Sequence, residues 1–309
     1  MSNAPSPHRT DWFCEAHWGV LTHYLTEATT TAEEWNRQVD NFDVPGLAAQ
    51  LGQIGTKYYY MTIGQNSGHY CSPNATYDSF VGVSPSKCSR RDLVAELADA
   101  LAAKGIRQMV YLPAGAPRSD PAAIEGLEYV MGPYRKREFQ LKWNAVIAEW
   151  SRRWGRNVWG WWFDGCYWPN TLYRMADPPN FETFAAAARA GNPDSIVAFN
   201  PGVINPLISV TPHEDYTAGE MNNPFEPNCK GRWLDGEQVH MLSYLGPWWG
   251  QGPPRFTNER ALEVTRHFAE NGCVLTWDVP ITTEGLIPQP FVDQLIALRE
   301  GLADLDRPS

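Results

Sequence analysis

Apolar runs of strand length recur along the chain at residues 12–23, 57–63, 106–112, 158–164, 195–200, 239–245 and 273–278. Between them the apolar positions fall at helical spacing, over 44–54, 89–104, 134–154, 181–190, 258–271 and 289–302. In the first of these, Val44, Leu47, Leu51 and Ile54 share one face, and Gly55 follows as a C-cap. Leu93, Val94, Leu97 and Leu101 do the same before Lys104-Gly105. Strand and helix in regular alternation predict a parallel sheet with its crossovers packed outside, and seven or eight such units predict one closed α/β barrel. Residues 30–38 read as a polar loop or short helix. Residues 201–236 break the rhythm: they are rich in Pro, Asn and Gly, and an irregular stretch of that length in a compact domain usually carries function or is disordered.

The run at 157–164, NVWGWWFD, ends in a lone carboxylate followed by Gly165. Parallel strands present their chemistry at their C-terminal ends, so Asp164 stands where a catalytic group is expected. Trp161, Trp162 and Trp168 surround it with flat apolar surface suited to the C–H face of a sugar ring. Trp162, two residues earlier, shares the strand face of Asp164. The competing reading is an Asp that caps the following helix.

At 309 residues the chain suits one large domain, expected over 11–303 with flexible tails at 1–10 and 304–309. A net charge of −10 argues against a nucleic-acid partner or an anionic membrane surface. The polar N-terminus lacks a signal-peptide pattern and no apolar stretch approaches membrane-spanning length, so a cytoplasmic protein is expected. The six cysteines form no CxxC pair and read as reduced, mostly buried thiols. The seven histidines are dispersed with no metal-binding spacing, and no phosphate-cradling glycine motif occurs, so neither metal nor cofactor is expected. Fourteen Trp, 13 Tyr and 12 Phe make an aromatic load common among carbohydrate-active proteins.

Three stretches together resemble the catalytic domain of glycoside hydrolase family 29, the retaining α-L-fucosidases. WGVLTHY at 18–24 is similar to that family's FGIFIHW, WWFDG at 161–165 to its WFDG segment, and residues 271–290 to its NGNLLLNVGP…DGRIP stretch. The resemblance covers roughly 11–303 and implies a (β/α)8 TIM-type barrel, here without the C-terminal β-sandwich of relatives. It also implies an exo-acting glycosidase with Asp164 as nucleophile. DYTAGE at 215–220 matches the segment that carries the family's acid/base, which points to Glu220; Glu214, Glu226 and Glu237 compete for that role. A general acid of this kind needs a raised pKa, from partial burial and a neighbouring carboxylate. His23 matches the histidine that binds the glycone, Glu34 and Trp35 the family's Glu-Trp pair, and Trp249 a Trp that walls the pocket. On the residues alone, His23 reads as a satisfied core histidine, and Glu34 with Trp35 as a surface helix start with a packing Trp.

The chain departs from that family after the second strand, where Gln65 and Asn66 stand in place of a histidine pair. Both still read hydroxyls through their amides, but neither becomes cationic. A family arginine is also missing, and Asn200-Pro201-Gly202 occupies its region. Contacts to specific hydroxyls govern which sugar is accepted, so glycone identity is open: α-L-fucose leads by resemblance, with related sugars as alternatives. A sugar-binding protein that has lost turnover is the second expectation, and a barrel hydrolase or transglycosylase acting on a different linkage is the third. Barrel surface that the sandwich covers in relatives is exposed here, which makes a homo-oligomer an expectation to check.

Overall fold

The computed structural model describes residues 8–132, 134–167, 174–227 and 229–305. Seven apolar runs become the strands β1 (Trp18–Thr22), β2 (Tyr58–Thr62), β3 (Arg107–Pro113), β4 (Val158–Asp164), β5 (Ile196–Phe199), β6 (His240–Tyr244) and β7 (Val274–Val279). They pair, all parallel, in the order β5-β4-β3-β2-β1-β7-β6. The helices are α1 (Asp11–Ala16), α2 (Ala32–Asp40), α3 (Val44–Ile54), α4 (Ala75–Val81), α5 (Leu93–Ala102), α6 (Pro121–Gly126), α7 (Arg137–Trp154), α8 (Phe181–Ala188), α9 (Asn258–Glu270) and α10 (Gln289–Gly301). The result is a curled parallel sheet with helices against it, an α/β half-barrel of TIM-like form.

Each strand is buried on both faces, as a covered parallel sheet requires. Val20, Tyr59, Met61, Val110, Leu112, Trp161, Phe163, Val197, Leu275 and Trp277 face outward into one large apolar cluster with the helices. The residues between them, Leu21, Tyr58, Tyr60, Met109, Tyr111, Trp162, Ile196, Ala198, Leu242 and Val274, fill the inside of the curl with Phe13 and Ala16 of α1. This period of two puts the terminal residues of several strands on the inner face. Gly19 makes room for the inner layer, because a Cβ there would lie 2.2 Å from the Tyr58 ring.

The irregular stretch crosses the gap between the edge strands β5 and β6. Asp215 N donates to Val197 O of β5 at 2.8 Å, while Met221 N donates to Leu242 O and Leu242 N to Gly219 O, both at 2.9 Å. Parallel bridges at Tyr216–Gln238 and Glu220–Leu242 turn Tyr216, Ala218 and Glu220 toward the inside. Gly219 has φ of 63°, and any Cβ there would sit 2.1 Å from His240 O; only glycine lets this segment lie so close to β6. A short hairpin, Trp233–Leu234 with Glu237–Gln238, precedes β6 and was not visible in the hydrophobic pattern.

Other differences are local. Residues 32–40 form a helix because Thr31 and Glu34 make a capping box, which settles the loop-or-helix ambiguity. Cys229 and Cys273 are joined in a disulfide, so the expectation of wholly reduced thiols is corrected; Cys71, Cys88 and Cys166 are free and buried, and Cys14 is free and partly exposed. Of the segments expected to be tails, Arg9 bonds Asp215 at 2.7 Å, Thr10 is buried, and Asp304 pairs with Arg266 at 2.8 Å. Among the described residues, no helix is long and apolar enough to cross a membrane.

Candidate active site

At the C-terminal ends of the strands the inner face opens into a cavity of about 300 Å³. Its walls include His23, Gln65, Tyr111, Trp162, Asp164, Glu220, Trp248 and Trp249. Asp164 is the last residue of β4, His23 follows β1, Gln65 lies three residues past β2, and Glu220 comes from the segment beside β6. Six residues expected from sequence thus meet in one place: His23, Gln65, Trp162, Asp164, Glu220 and Trp249.

Asp164 is held by neutral donors. The Tyr111 hydroxyl donates to Oδ2 at 2.6 Å, and the Asn200 amide donates to Oδ1 at 2.8 Å. The first bond is short, as expected when the acceptor is a carboxylate. Gln65 Nε2 in turn donates to the Tyr111 hydroxyl at 2.8 Å, orienting it. Burial pushes the Tyr111 phenol well above its ordinary pKa, and the adjacent Asp164 charge adds to this, so the group remains a donor. Tyr111 stacks on Trp162 at 5.3 Å and 18°, and Trp162 Nε1 is tied to Ala218 O at 3.0 Å.

The Asn200 amide nitrogen also donates to Glu220 Oε2, at 2.6 Å. One nitrogen therefore bonds both carboxyl groups, and the two bonded oxygens lie no more than about 5.4 Å apart, the 2.8 Å and 2.6 Å bonds laid end to end. Burial raises the pKa of Glu220 above the ordinary carboxylate range. The Asn200 bond opposes this, the Asp164 charge reinforces it, and His23 moderates it. Opposite them, His23 Nδ1 pairs with Asp278 Oδ1 at 2.8 Å, and the other Asp278 oxygen accepts the backbone N–H of Gly250, next to Trp249. Burial disfavours a charged imidazole, but Asp278, aided by Asp164 and Glu220, overcomes it and raises the His23 pKa.

The rivals of Glu220 lie elsewhere. Glu214 is buried and accepts the backbone N–H groups of Phe199 and Val210. Glu237 belongs to the hairpin, and Glu226 is exposed, bonded to Asn223. Of the four, Glu220 alone lines the cavity with Asp164.

Two residues expected from sequence lie away from this cavity. Glu34 is exposed and turned back on its own helix, where its carboxylate accepts the Thr31 N–H at 2.8 Å and the Thr31 hydroxyl at 2.7 Å. Trp35 is 1% exposed, and its Nε1 donates to Tyr70 O at 2.9 Å, so its ring belongs to the core. Neither lines the cavity; the capping and packing demands of α2 account for both. Asn66 borders a smaller adjoining space of about 70 Å³ that it shares with Gln65, Arg118, Asp164 and Tyr167. Trp168 lies outside the described residues.

Sequence reasoning missed Tyr111, Asn200 and Asp278. Asp278 carried the signal that singled out Asp164, an apolar run ending in one carboxylate, and Tyr111 sat on the inner register of β3. Asn200 was legible only as a missing arginine. Among the described residues, no group of three or more His, Cys, Asp or Glu side chains could hold a metal ion.

The fold defines a class, the TIM-like α/β proteins. Within it, the chain is similar to the endo-fucoidan hydrolase MfFcnA4 of glycoside hydrolase family 107 (TM-score 0.76, 20% identity), over 97% of this chain and 54% of that one. It is also similar to the α-L-fucosidase AlfC (TM-score 0.68, 16% identity), over 97% and 99% of the two chains. A third similar structure is α-L-fucosidase isoenzyme 1 from Paenibacillus thiaminolyticus (TM-score 0.63, 17% identity), over 96% and 75%. The chain thus spans about half the length of the fucoidan hydrolase. At these identities the likeness establishes the shared fold. No protein-family model and no curated protein sequence matches the chain.

Proposed function

We propose that the chain is a retaining glycoside hydrolase acting on α-L-fucose or a closely related sugar, with Asp164 as nucleophile and Glu220 as acid/base. The observation that carries this is the shared Asn200 nitrogen, which limits the bonded carboxyl oxygens to about 5.4 Å. Retaining glycosidases place their carboxyl groups roughly 5–5.5 Å apart, and inverting ones roughly 6.5–9.5 Å, to admit a water. In the first step Asp164 attacks the anomeric carbon, the bond to the leaving oxygen breaks, and Glu220 gives that oxygen its proton. In the second, Glu220 takes a proton from water, the water oxygen attacks the same carbon, and the ester to Asp164 is released. The raised pKa of Glu220 keeps its proton available for the first step.

The glycone would sit in the 300 Å³ cavity, with His23 and Gln65 reading hydroxyls and Trp249 offering an apolar wall. In this reading residues 215–221 act as an irregular eighth stave that completes the barrel and delivers Glu220. Exo-action is the first expectation. A second reading, cleavage within a chain, is favoured by the cleft's continuation past Asp164 into the space beside Asn66 and Arg118, and past Leu25 and Gln65 into a further cavity of about 470 Å³.

A panel of aryl α- and β-glycosides tests the function. Turnover of the α-L-fucoside is expected, with loss on the order of 10⁴-fold in Asp164→Ala. Azide is expected to yield a glycosyl azide of inverted configuration from that variant. Free monosaccharide released together with an oligosaccharide shortened by one residue supports exo-action, and fragments of two or more residues on both sides of the cut support the second reading. Saturable sugar binding without turnover of any glycoside would point instead to a binding protein.

A further inference from the structure

Asn200 is positioned more tightly than a bystander requires. It is fully buried one residue past β5, its backbone N–H donates to Phe163 O and its carbonyl accepts from Cys166 N, both at 2.8 Å. Those bonds clamp it to the two sides of Asp164. Its side-chain oxygen accepts the Gly202 N–H at 3.0 Å, which fixes the amide's orientation: the nitrogen faces the carboxyl groups and the oxygen faces a donor. The two N–H bonds of Nδ2 then go one to Asp164 and one to Glu220.

We propose that Asn200 is the positioning residue that couples Asp164 and Glu220, and that its amide faces one negative charge throughout the reaction as that charge moves between them. This rests on the retaining reading above. Before glycosylation Asp164 is the anion and Glu220 holds the proton. As the glycosyl bond to Asp164 forms, its charge is consumed, while Glu220 becomes the anion by protonating the leaving oxygen. The Asn200–Glu220 bond therefore strengthens as the transition state is approached, because a hydrogen bond to an ionised oxygen is roughly twice as strong as one to a neutral oxygen. The second step reverses the exchange. A guanidinium in the same place would favour ionisation of both carboxyl groups and oppose the proton that Glu220 must carry; a neutral amide bridges both without that bias.

The test compares wild type, Asn200→Ala and the isosteric Asn200→Asp on aryl α-L-fucosides whose leaving phenols span a wide range of acidity, with kcat/KM followed against pH and Tm measured for each. For Asn200→Ala we expect a loss of about 10²–10³-fold on poor leaving groups, which depend on acid catalysis, and about tenfold or less on a dinitrophenyl leaving group. The basic limb of the pH profile should move to higher pH, since Glu220 loses a donor that favours its charged form. Asn200→Asp, which keeps the shape and removes the paired donor, should show the same leaving-group dependence and serves if the Ala variant does not fold. Equal losses across all leaving groups with the basic limb unmoved would overturn the proposal. A wild type inert on fucosides but active on another glycoside overturns the fucose assignment alone, and the same series on that sugar decides the role of Asn200. Inertness on every glycoside overturns both.

Discussion

The inner face of the sheet carries polar groups at both of its ends, and the two ends treat them in opposite ways. Toward the strand starts, His240 bonds Thr217 O at 2.9 Å and Thr276 Oγ1 at 2.8 Å, and Tyr58 shares the same threonine hydroxyl. Tyr60 donates to Tyr216, which donates to Trp161 O. Every one of these partners is neutral. Burial drives the His240 pKa down to about 3. Toward the strand ends, His23 meets Asp278 and its pKa is raised. Two histidines of one sheet, His240 at the start of β6 and His23 just past the end of β1, are thus set to opposite charge preferences by what lies across from them. The lower layer is a closed, mutually satisfied network; the upper one concentrates three carboxyl groups beside an open cavity.

That contrast is sharpest at Glu220. Glu220→Ala should lower kcat/KM by about 10²–10⁴-fold on substrates with poor leaving groups. On substrates with good leaving groups, where breakdown of the glycosyl-enzyme limits turnover, azide should restore kcat and give a glycosyl azide of retained configuration. In the proposed mechanism the first step needs protonated Glu220, so its raised pKa should set the basic limb of the wild-type profile, and Glu220→Ala should abolish that limb.

A smaller effect is expected at the His23–Asp278 pair. Asp278→Asn removes the charge that raises the His23 pKa, so imidazolium-dependent binding should fade at lower pH than in wild type. The expected rise in KM is about 10–100-fold at neutral pH, in line with a lost hydrogen bond to a charged group. KM measured against pH in both proteins checks the direction of the shift.

At the closed end the effect should fall on stability and spare catalysis. His240 has a depressed folded pKa, so its contribution is present above the unfolded value of 6.5 and is lost as pH falls toward about 3. His240→Gln should flatten the acid-induced loss of stability over that window, at a cost of about 1–3 kcal/mol near neutral pH from imperfect replacement of two buried bonds. Denaturant midpoints against pH read both effects, and kcat of the folded fraction should stay at the wild-type level.

The smallest effect is predicted for Glu34→Ala, which should lower Tm slightly through loss of the capping box and leave KM unchanged. An altered KM there would favour the sugar contact that the family resemblance implies.

These regions also differ in how legible they were. Strand positions were readable because a covered parallel strand must be apolar on both faces, and β4 was located to the residue. Asp164 stood out as a charge ending such a run. The lower network was invisible, since Tyr60, Tyr216 and His240 look like ordinary core residues until their partners across the curl are known. Asn200 acquires its meaning only when β4, β5 and the irregular stretch converge. Residues 215–221 lacked the period-two apolar signal because their pairing with β6 depends on Gly219 and on scattered bridges rather than on a continuous ladder. At Glu34 and Trp35 the sequence left the family match and the helix start with a packing Trp both open, and the structure shows the capping box and the buried ring.

The central claim is that two carboxyl groups held by one amide act by double displacement. The most direct measurement is the anomeric configuration of the sugar first released from an aryl α-L-fucoside, followed by proton NMR before mutarotation. The account predicts the α-anomer first; initial release of the β-anomer would contradict it.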